Sequence, residues 1–121
     1  MSCGIEAASV NAGGDLRIFG EHDTAIHIRN PLQPQQLIYA GQLRNGAFAS
    51  SANYFTRQNQ IAKLQSALID TRTGKPISTQ KSFSVIASSC AIADGLTKAL
   101  AVDQEQSAYY FQYYEAQAFI L

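Results

Sequence analysis

Charge of one sign, cysteine and long apolar runs are all scarce in this chain, and each shortage removes a class of function. Nine lysines and arginines balance nine aspartates and glutamates, so the formal net charge is zero. Nothing therefore pulls the chain toward nucleic acid or an anionic membrane surface. The two cysteines, Cys3 and Cys90, form neither a metal-ligand spacing nor a redox pair. Cys90 sits beside Ala91 and Ile92 and reads as a buried free thiol. No apolar run approaches the roughly 18 residues of a membrane span. Met1-Ser2-Cys3-Gly4 lacks the charged and apolar regions of a signal peptide, which makes the cytoplasm the default location. The generic catalytic signatures are missing too. The chain has no nucleophile elbow, no phosphate-binding glycine loop with its lysine, and no His-Glu-x-x-His.

What remains is a chain of 121 residues, enough for one domain with a single core. Its hydrophobic content of 46% argues against disorder. Strand and turn signals dominate the first two thirds. Ala8 to Ala12 leads into Gly13-Gly14 and apolar residues resume at Leu16, a strand with a bulge or bend at the glycines. Ala25 to Arg29 alternates as a half-buried strand closed by Asn30-Pro31. Leu37 opens another strand, and Asn45-Gly46 marks a turn before Ala47. Thr56 to Ala62 reads as a loop or hairpin tip. Asp70 to Gly74 is a turn, and Ser82 to Ala87 alternates cleanly as a strand. Helical spacing begins at a Ser88 or Ser89 cap, with Ile92, Leu96, Ala99 and Leu100 on one stripe. A second helix restarts at Asp103 and runs to about Tyr114, and Ala118 to Leu121 closes as a strand. The expectation is an α+β fold: a mixed, mostly antiparallel sheet with two C-terminal helices packed on it and no internal repeat.

Taken residue by residue, the polar side chains are modest. His22 and His27 read as a loop and a strand residue, without the clustered partners a metal would need. Asp94 and Lys98 stand four apart on the first helix, the spacing of an exposed ion pair. Tyr109, Tyr110, Phe111, Tyr113 and Tyr114 suggest a stacking platform, yet no basic residue is interleaved among them. At helical spacing Tyr110, Phe111 and Tyr114 form one face suited to packing on the sheet.

Four segments, in order and at matching spacing, carry a resemblance: Asn11-Ala12-Gly13-Gly14-Asp15-Leu16-Arg17, Ala49-Ser50-Ser51-Ala52-Asn53-Tyr54, Ile69-Asp70-Thr71-Arg72-Thr73-Gly74-Lys75-Pro76, and Ala93-Asp94-Gly95-Leu96-Thr97-Lys98-Ala99-Leu100. Together they resemble the C-terminal half of the FAD:protein FMN transferases, the ApbE family. The resemblance runs from Gly4 to Leu121 and implies an ApbE-like half-domain that begins mid-enzyme. It implies FAD as FMN donor with magnesium as cofactor, a threonine or serine of a flavoprotein as acceptor, and an N-terminal half supplied elsewhere. A secretion signal in such enzymes would lie in that other half. Gly13, Gly14 and Asp15 match the segment beside the flavin-nucleotide cleft, where a missing Cβ admits a planar ring or a phosphate. Ser50, Ser51 and Asn53 match a second flavin-nucleotide segment, although serine, alanine and asparagine replace its threonine, glycine and aspartate at Ser50, Ala52 and Asn53. Read without the resemblance, the same stretch is a small-residue strand end.

Two departures bear on activity. The family's catalytic histidine falls on Ala67, which cannot transfer a proton. The family's magnesium-binding pair is an aspartate and a threonine four residues on; Asp94 matches the first, but Lys98 takes the second place and Thr97 is three on. Three readings stay open. Thr97 turns in to serve the metal, the Lys98 ammonium replaces the metal, or Asp94 and Lys98 are a surface ion pair. No catalytic residue is assigned. The functional expectation is a fragment of an FMN transferase that is inactive alone. Its rival is a non-enzymatic flavin- or nucleotide-binding or degenerate remnant, such as a homodimer that covers the face left bare.

Overall fold

A computed structural model describes residues 3–52 and 68–121 of the chain. Thr56 to Ala62, Asn53 and Ala67 lie outside the described residues. The described elements begin with five strands: β1 (Ala8–Ala12), β2 (Asp15–Phe19), β3 (Thr24–Arg29), β4 (Leu37–Leu43) and β5 (Ala47–Ala52). Two short strands, β6 (Ile69–Asp70) and β7 (Lys75–Pro76), precede β8 (Ser82–Ala87). Helices α1 (Cys90–Val102) and α2 (Gln104–Tyr113) follow, and β9 (Gln117–Ile120) ends the fold. The architecture is α+β, and every described strand pair is antiparallel.

The main sheet runs in the order β1-β2-β5-β8-β9, while β3-β4 and β6-β7 form separate two-stranded ribbons. Since side chains alternate across a strand, β5 and β8 present two different inner faces. Ala49, Val85 and Ala87 on one face pack against Ala93 and Leu96 of α1. Phe83 on that face joins Leu68 and Leu100. On the opposite face Ile18 and Phe48 meet Ile26, Ile28 and Leu43 of the β3–β4 ribbon, with Ile86 and Phe119 alongside. Helices, sheet and ribbon therefore make three layers, and the inner strand β8 is covered on both sides.

That coverage explains a feature that period-two patterning conceals. The serines alternating along β8 do not face water: Ser82 and Ser84 are both fully buried. Ser50 Oγ lies 2.8 Å from Ser84 Oγ and 3.4 Å from Ser82 Oγ, so the hydroxyls satisfy one another inside.

Local chemistry sets the element ends. Ala12 pairs with Asp15, so Gly13-Gly14 is the two-residue loop of a tight β1–β2 hairpin rather than a bend within one strand. Both glycines have positive φ, +65° and +107°, as a twisted two-residue hairpin loop requires. Asn11 Oδ1 accepts from Gly14 N at 3.0 Å and fastens the loop. Ser89 caps α1, its side chain accepting from Ile92 N at 3.3 Å. Asp103 closes α1 through its own N–H to Ala99 O at 3.0 Å and opens α2, accepting from the N–H groups of Glu105 and Gln106. One residue thus turns the chain between the helices.

Two expectations about helix faces shift. In α1 the buried stripe is Ala93, Leu96, Thr97 and Leu100, with Ile92 and Ala99 only half-buried. Leu96 and Leu100 keep their places on the stripe, and Thr97 can join it because its hydroxyl is paired with Ser51 and the Asp94 carbonyl. In α2 only Phe111 of the expected face packs inward, against the two helix-side clusters. Tyr110 and Tyr114 are exposed, together with Tyr109 and Tyr113. The four rings contact one another instead: Tyr109–Tyr110 and Tyr113–Tyr114 meet edge to face at 5.4 and 4.9 Å, and Tyr109–Tyr113 stack at 6.3 Å.

Candidate functional site around Ser51, Asp94, Thr97 and Lys98

The C-terminal end of β5 and the middle of α1 bring four polar side chains together. Ser51 belongs to the helix-facing side of β5, in register with Phe83 of β8. Its Oγ lies 2.7 Å from Thr97 Oγ1. Thr97 is fully buried, and its hydroxyl donates back to the Asp94 carbonyl at 2.7 Å. One turn above, Lys98 Nζ donates to Ser51 Oγ at 3.1 Å and to the Asp94 carboxylate. The Asp94 and Lys98 side chains remain about half exposed, 43% and 50%.

These contacts determine where every hydrogen goes. A hydroxyl has one hydrogen to give, and the hydrogen of Thr97 is committed to a carbonyl oxygen, which can only accept. Ser51 must then donate to Thr97 Oγ1, and an ammonium, which can only donate, supplies Ser51 from the other side. The chain runs in one direction: Lys98 to Ser51 to Thr97 to the Asp94 carbonyl. Lys98 keeps one further N–H for whatever lies above the helix.

The other residues singled out in the sequence fall into two groups. Gly13 and Gly14 are at the tip of the β1–β2 hairpin. Leu16 pairs with Phe48 and Arg17 with Ala47, and extending that register sets Gly14 and Gly13 level with Ser50 and Ser51. The hairpin tip and the polar cluster therefore share one end of the sheet on neighbouring strands. Asp15 opens β2 at that same end and is half-buried. Ser50 is different, because it points to the opposite face of β5, into the buried serine group with Ser82 and Ser84. Two successive strand residues cannot serve one ligand face, so Ser51 alone of the pair reaches the cluster. Cys90 is half-buried rather than fully buried, and its thiol donates to Leu16 O at 3.4 Å, tying the start of α1 to β2.

Arg72 carries a second polar group that the sequence did not single out as a unit. Its guanidinium bridges Asp70 at 3.0 Å and Asp103 at 3.2 Å, and it also donates to Val102 O. The side-chain hydrogen bond from Arg72 is the main cause holding the Asp70 carboxyl below its ordinary range. The backbone N–H of Gln106 does most to lower Asp103. This group fastens the β6–β7 turn to the junction between the helices. The only early signal was the Asp-x-Arg spacing, which gives no hint of the more distant Asp103.

The residues present do not fit a magnesium ion. Magnesium requires a near-octahedral set of oxygens at about 2.0–2.1 Å. The Asp94 carboxylate is held by an ammonium, and the Thr97 oxygen is buried with both partners assigned. Among the described residues no three His, Cys, Asp or Glu side chains gather as a metal site would need. A shallow groove of about 290 Å³ lies along α1, lined by Ala91, Ile92, Gly95, Leu96 and Tyr114. It contains none of the cluster residues and offers no charged group.

Comparison with known proteins places this geometry. The sequence model of the ApbE family matches residues 1–120. The chain belongs to the ApbE family. An FAD:protein FMN transferase of Rhodobacter capsulatus is 32% identical over 109 residues, covering 87% of this chain and 21% of the relative. A second FAD:protein FMN transferase, from Vibrio cholerae, is 32% identical over 115 residues, covering 88% of this chain and 34% of the relative. This chain therefore spans about a fifth to a third of the length of these curated relatives.

Solved structures agree on the fold. The flavin transferase ApbE from Vibrio cholerae superposes with a TM-score of 0.68 at 26% identity, covering 98% of this chain and 40% of that one. A point variant of the same enzyme gives 0.72 at 27% identity, with 98% and 39% covered. An ApbE protein of Thermotoga maritima gives 0.63 at 26% identity, with 94% and 39% covered. The α+β reading and the family resemblance are both borne out. No helix among the described residues is long and apolar enough to cross a membrane.

Proposed function

We propose that this chain is the C-terminal portion of an FAD:protein FMN transferase, supplying one wall of the flavin-nucleotide site and inactive without the remainder. The observation that carries this reading is the joint position of the Gly13-Gly14 hairpin and the Ser51–Asp94–Thr97–Lys98 cluster at one end of the sheet. Backbone without Cβ atoms stands beside hydroxyl and ammonium donors, an arrangement suited to a nucleotide diphosphate. The names of the relatives support FAD as the donor substrate.

In the reaction, the oxygen of an acceptor threonine or serine attacks the phosphorus on the FMN side of FAD. The bond to the bridging oxygen breaks, AMP leaves, and the acceptor's proton passes to a base. Charge develops on the bridging oxygen, and a cation facing it stabilises the transition state. Gly13, Gly14, Asp15, Ser51 and Asn53 are the proposed nucleotide contacts, with Asn53 outside the described residues. Alanine stands at position 67 where the family has its histidine, and no base is assigned.

Titration of FAD into the purified chain, alone and with a co-expressed N-terminal half, tests the reading through flavin fluorescence. Weak or absent binding alone and tight binding with the second half is the expected result. Equal absence in both would remove it.

A second reading has its own support in Lys98 and in the four exposed tyrosines of α2 and its end. In it the chain is a non-enzymatic flavin-binding remnant that self-associates. Light scattering at micromolar concentration separates the two, since this reading requires a mass near twice 13.1 kDa.

A further inference from the structure

The family resemblance implies a divalent cation at Asp94, and the side chains found there are arranged for something else. Asp94 does not stand open: Lys98, one helical turn on, donates to its carboxylate. The hydroxyl that could join Asp94 as an oxygen ligand belongs to Thr97, which has no exposed surface. Its hydrogen goes to the Asp94 carbonyl and its oxygen accepts from Ser51. Turning it toward a metal would break both bonds and leave Ser51 without its acceptor. Ser51 is itself committed, giving its hydrogen to Thr97 and receiving one from Lys98. The two hydroxyls and one carboxylate oxygen that a metal would use are already paired, and the charge it would neutralise already faces an ammonium.

We propose that Lys98 takes the place of the divalent cation in this chain: its ammonium is the resident positive charge, Asp94 its counter-ion, and the site binds no magnesium. Two of the three ammonium hydrogens hold the group to Asp94 and Ser51, and the third, on a half-exposed side chain, is left to a phosphate oxygen. The directed chain from Lys98 to the Asp94 carbonyl fixes the ammonium over the end of β5, at the end of the sheet that the Gly13-Gly14 tip also occupies. A second cation at that spot would meet a positive charge at contact distance, where like charges repel most strongly. Binding of a nucleotide diphosphate here is accordingly independent of magnesium, an extension that rests on the flavin-nucleotide reading above. The exclusion of the metal does not rest on it.

The test has two arms. In the first, magnesium alone is titrated by calorimetry into the unmodified chain, Lys98→Thr and Lys98→Met, with circular dichroism confirming that each is folded. No binding to the unmodified chain is expected, with a measurable isotherm for Lys98→Thr and a weaker one for Lys98→Met. Magnesium binding by the unmodified chain overturns the proposal. Failure of the folded Lys98→Thr form to bind also overturns it, since Asp94 would then not be a displaced metal position.

The second arm measures FAD affinity with the N-terminal half present, in chelator and in magnesium. Equal affinities support the proposal, and a requirement for magnesium contradicts it. If FAD binds under neither condition, the nucleotide reading fails along with the extension built on it, while the first arm still decides the metal question.

Discussion

Ser51 Oγ and Thr97 Oγ1 are 2.7 Å apart across the contact between β5 and α1, on the helix face that also buries Ala93, Leu96 and Leu100. With Thr97 turned inward, Lys98 falls on the rim above Ser51. Were the helix rotated to bury Ile92 and Ala99 instead, Lys98 would lie away from the strand.

Replacing Thr97 by valine keeps the shape and removes the hydroxyl. Ser51 then loses its acceptor in a part-buried place, and stability should fall by about 1–3 kcal/mol. Urea unfolding measures this. The double variant with Ser51→Ala should lose less than the sum of the two single changes, because both partners are then gone. Strict additivity would mean that the bond carries no coupling.

The β1–β2 hairpin and the bend after β2 respond differently to a methyl group. At Gly20, with φ +105°, an added Cβ would lie 2.5 Å from Glu6 O and 2.8 Å from Ala7 Cα, both backbone atoms that cannot retreat. Gly20→Ala should therefore cost more than the roughly 1–2 kcal/mol of left-handed conformation alone. At Gly13, φ +65°, an added Cβ meets nothing. Gly13→Ala should show only the conformational cost in thermal melts. A loss of FAD affinity by this variant in the reassembled enzyme is the expected sign of close ligand approach.

Acid should weaken the junction between the helices. The Asp70 and Asp103 carboxyls are both lowered from the usual 3.8 by the hydrogen bonds of Arg72 and Gln106. A lowered folded pKa means the unfolded chain binds more protons, so stability rises with pH across that interval. The contribution is present above the unfolded value and is lost as pH falls below it, through the folded values. Asp103→Asn keeps a capping side chain without its titration. Thermal melts of this variant between pH 5 and 2, a window of about three units around the usual carboxylate value, should have a flatter pH profile than those of the parent. Identical profiles would show that solvent screens this exposed group entirely.

The chain alone should not flavinylate an acceptor. Alanine at position 67 lacks a proton-transfer group, and such groups are worth about 10²–10⁴-fold in rate. Intact mass of an acceptor peptide after incubation with FAD, magnesium and the chain should show no added FMN. Transfer at any appreciable rate would place the base elsewhere in these residues.

Family, fold class and most element positions were legible before any coordinates, because they depend on local rules. Ser88 or Ser89 offers a cap and Asp103 a helix restart, Ile26 and Ile28 mark a half-buried strand by alternation, and the four matching segments keep order and spacing. What lay beyond reach depends on what comes to stand opposite. Gly13-Gly14 reads as a bulge or bend within one strand, and only the pairing of Ala12 with Asp15 makes it a hairpin tip. The serines of β8 look like a wet face and are buried, because a separate ribbon covers that side and Ser50 supplies their partner. The spacing of Asp94, Thr97 and Lys98 was readable as three alternatives, and periodicity alone could not choose among them. A threonine is small and polar enough to lie on either side of a helix boundary, and the hydroxyl that pairs with it inside stands 46 residues away, on β5. Local sequence determines where hydrogen-bonding groups can begin and end an element. Tertiary packing decides which of them meet, and in this chain that meeting sets Lys98 against Asp94.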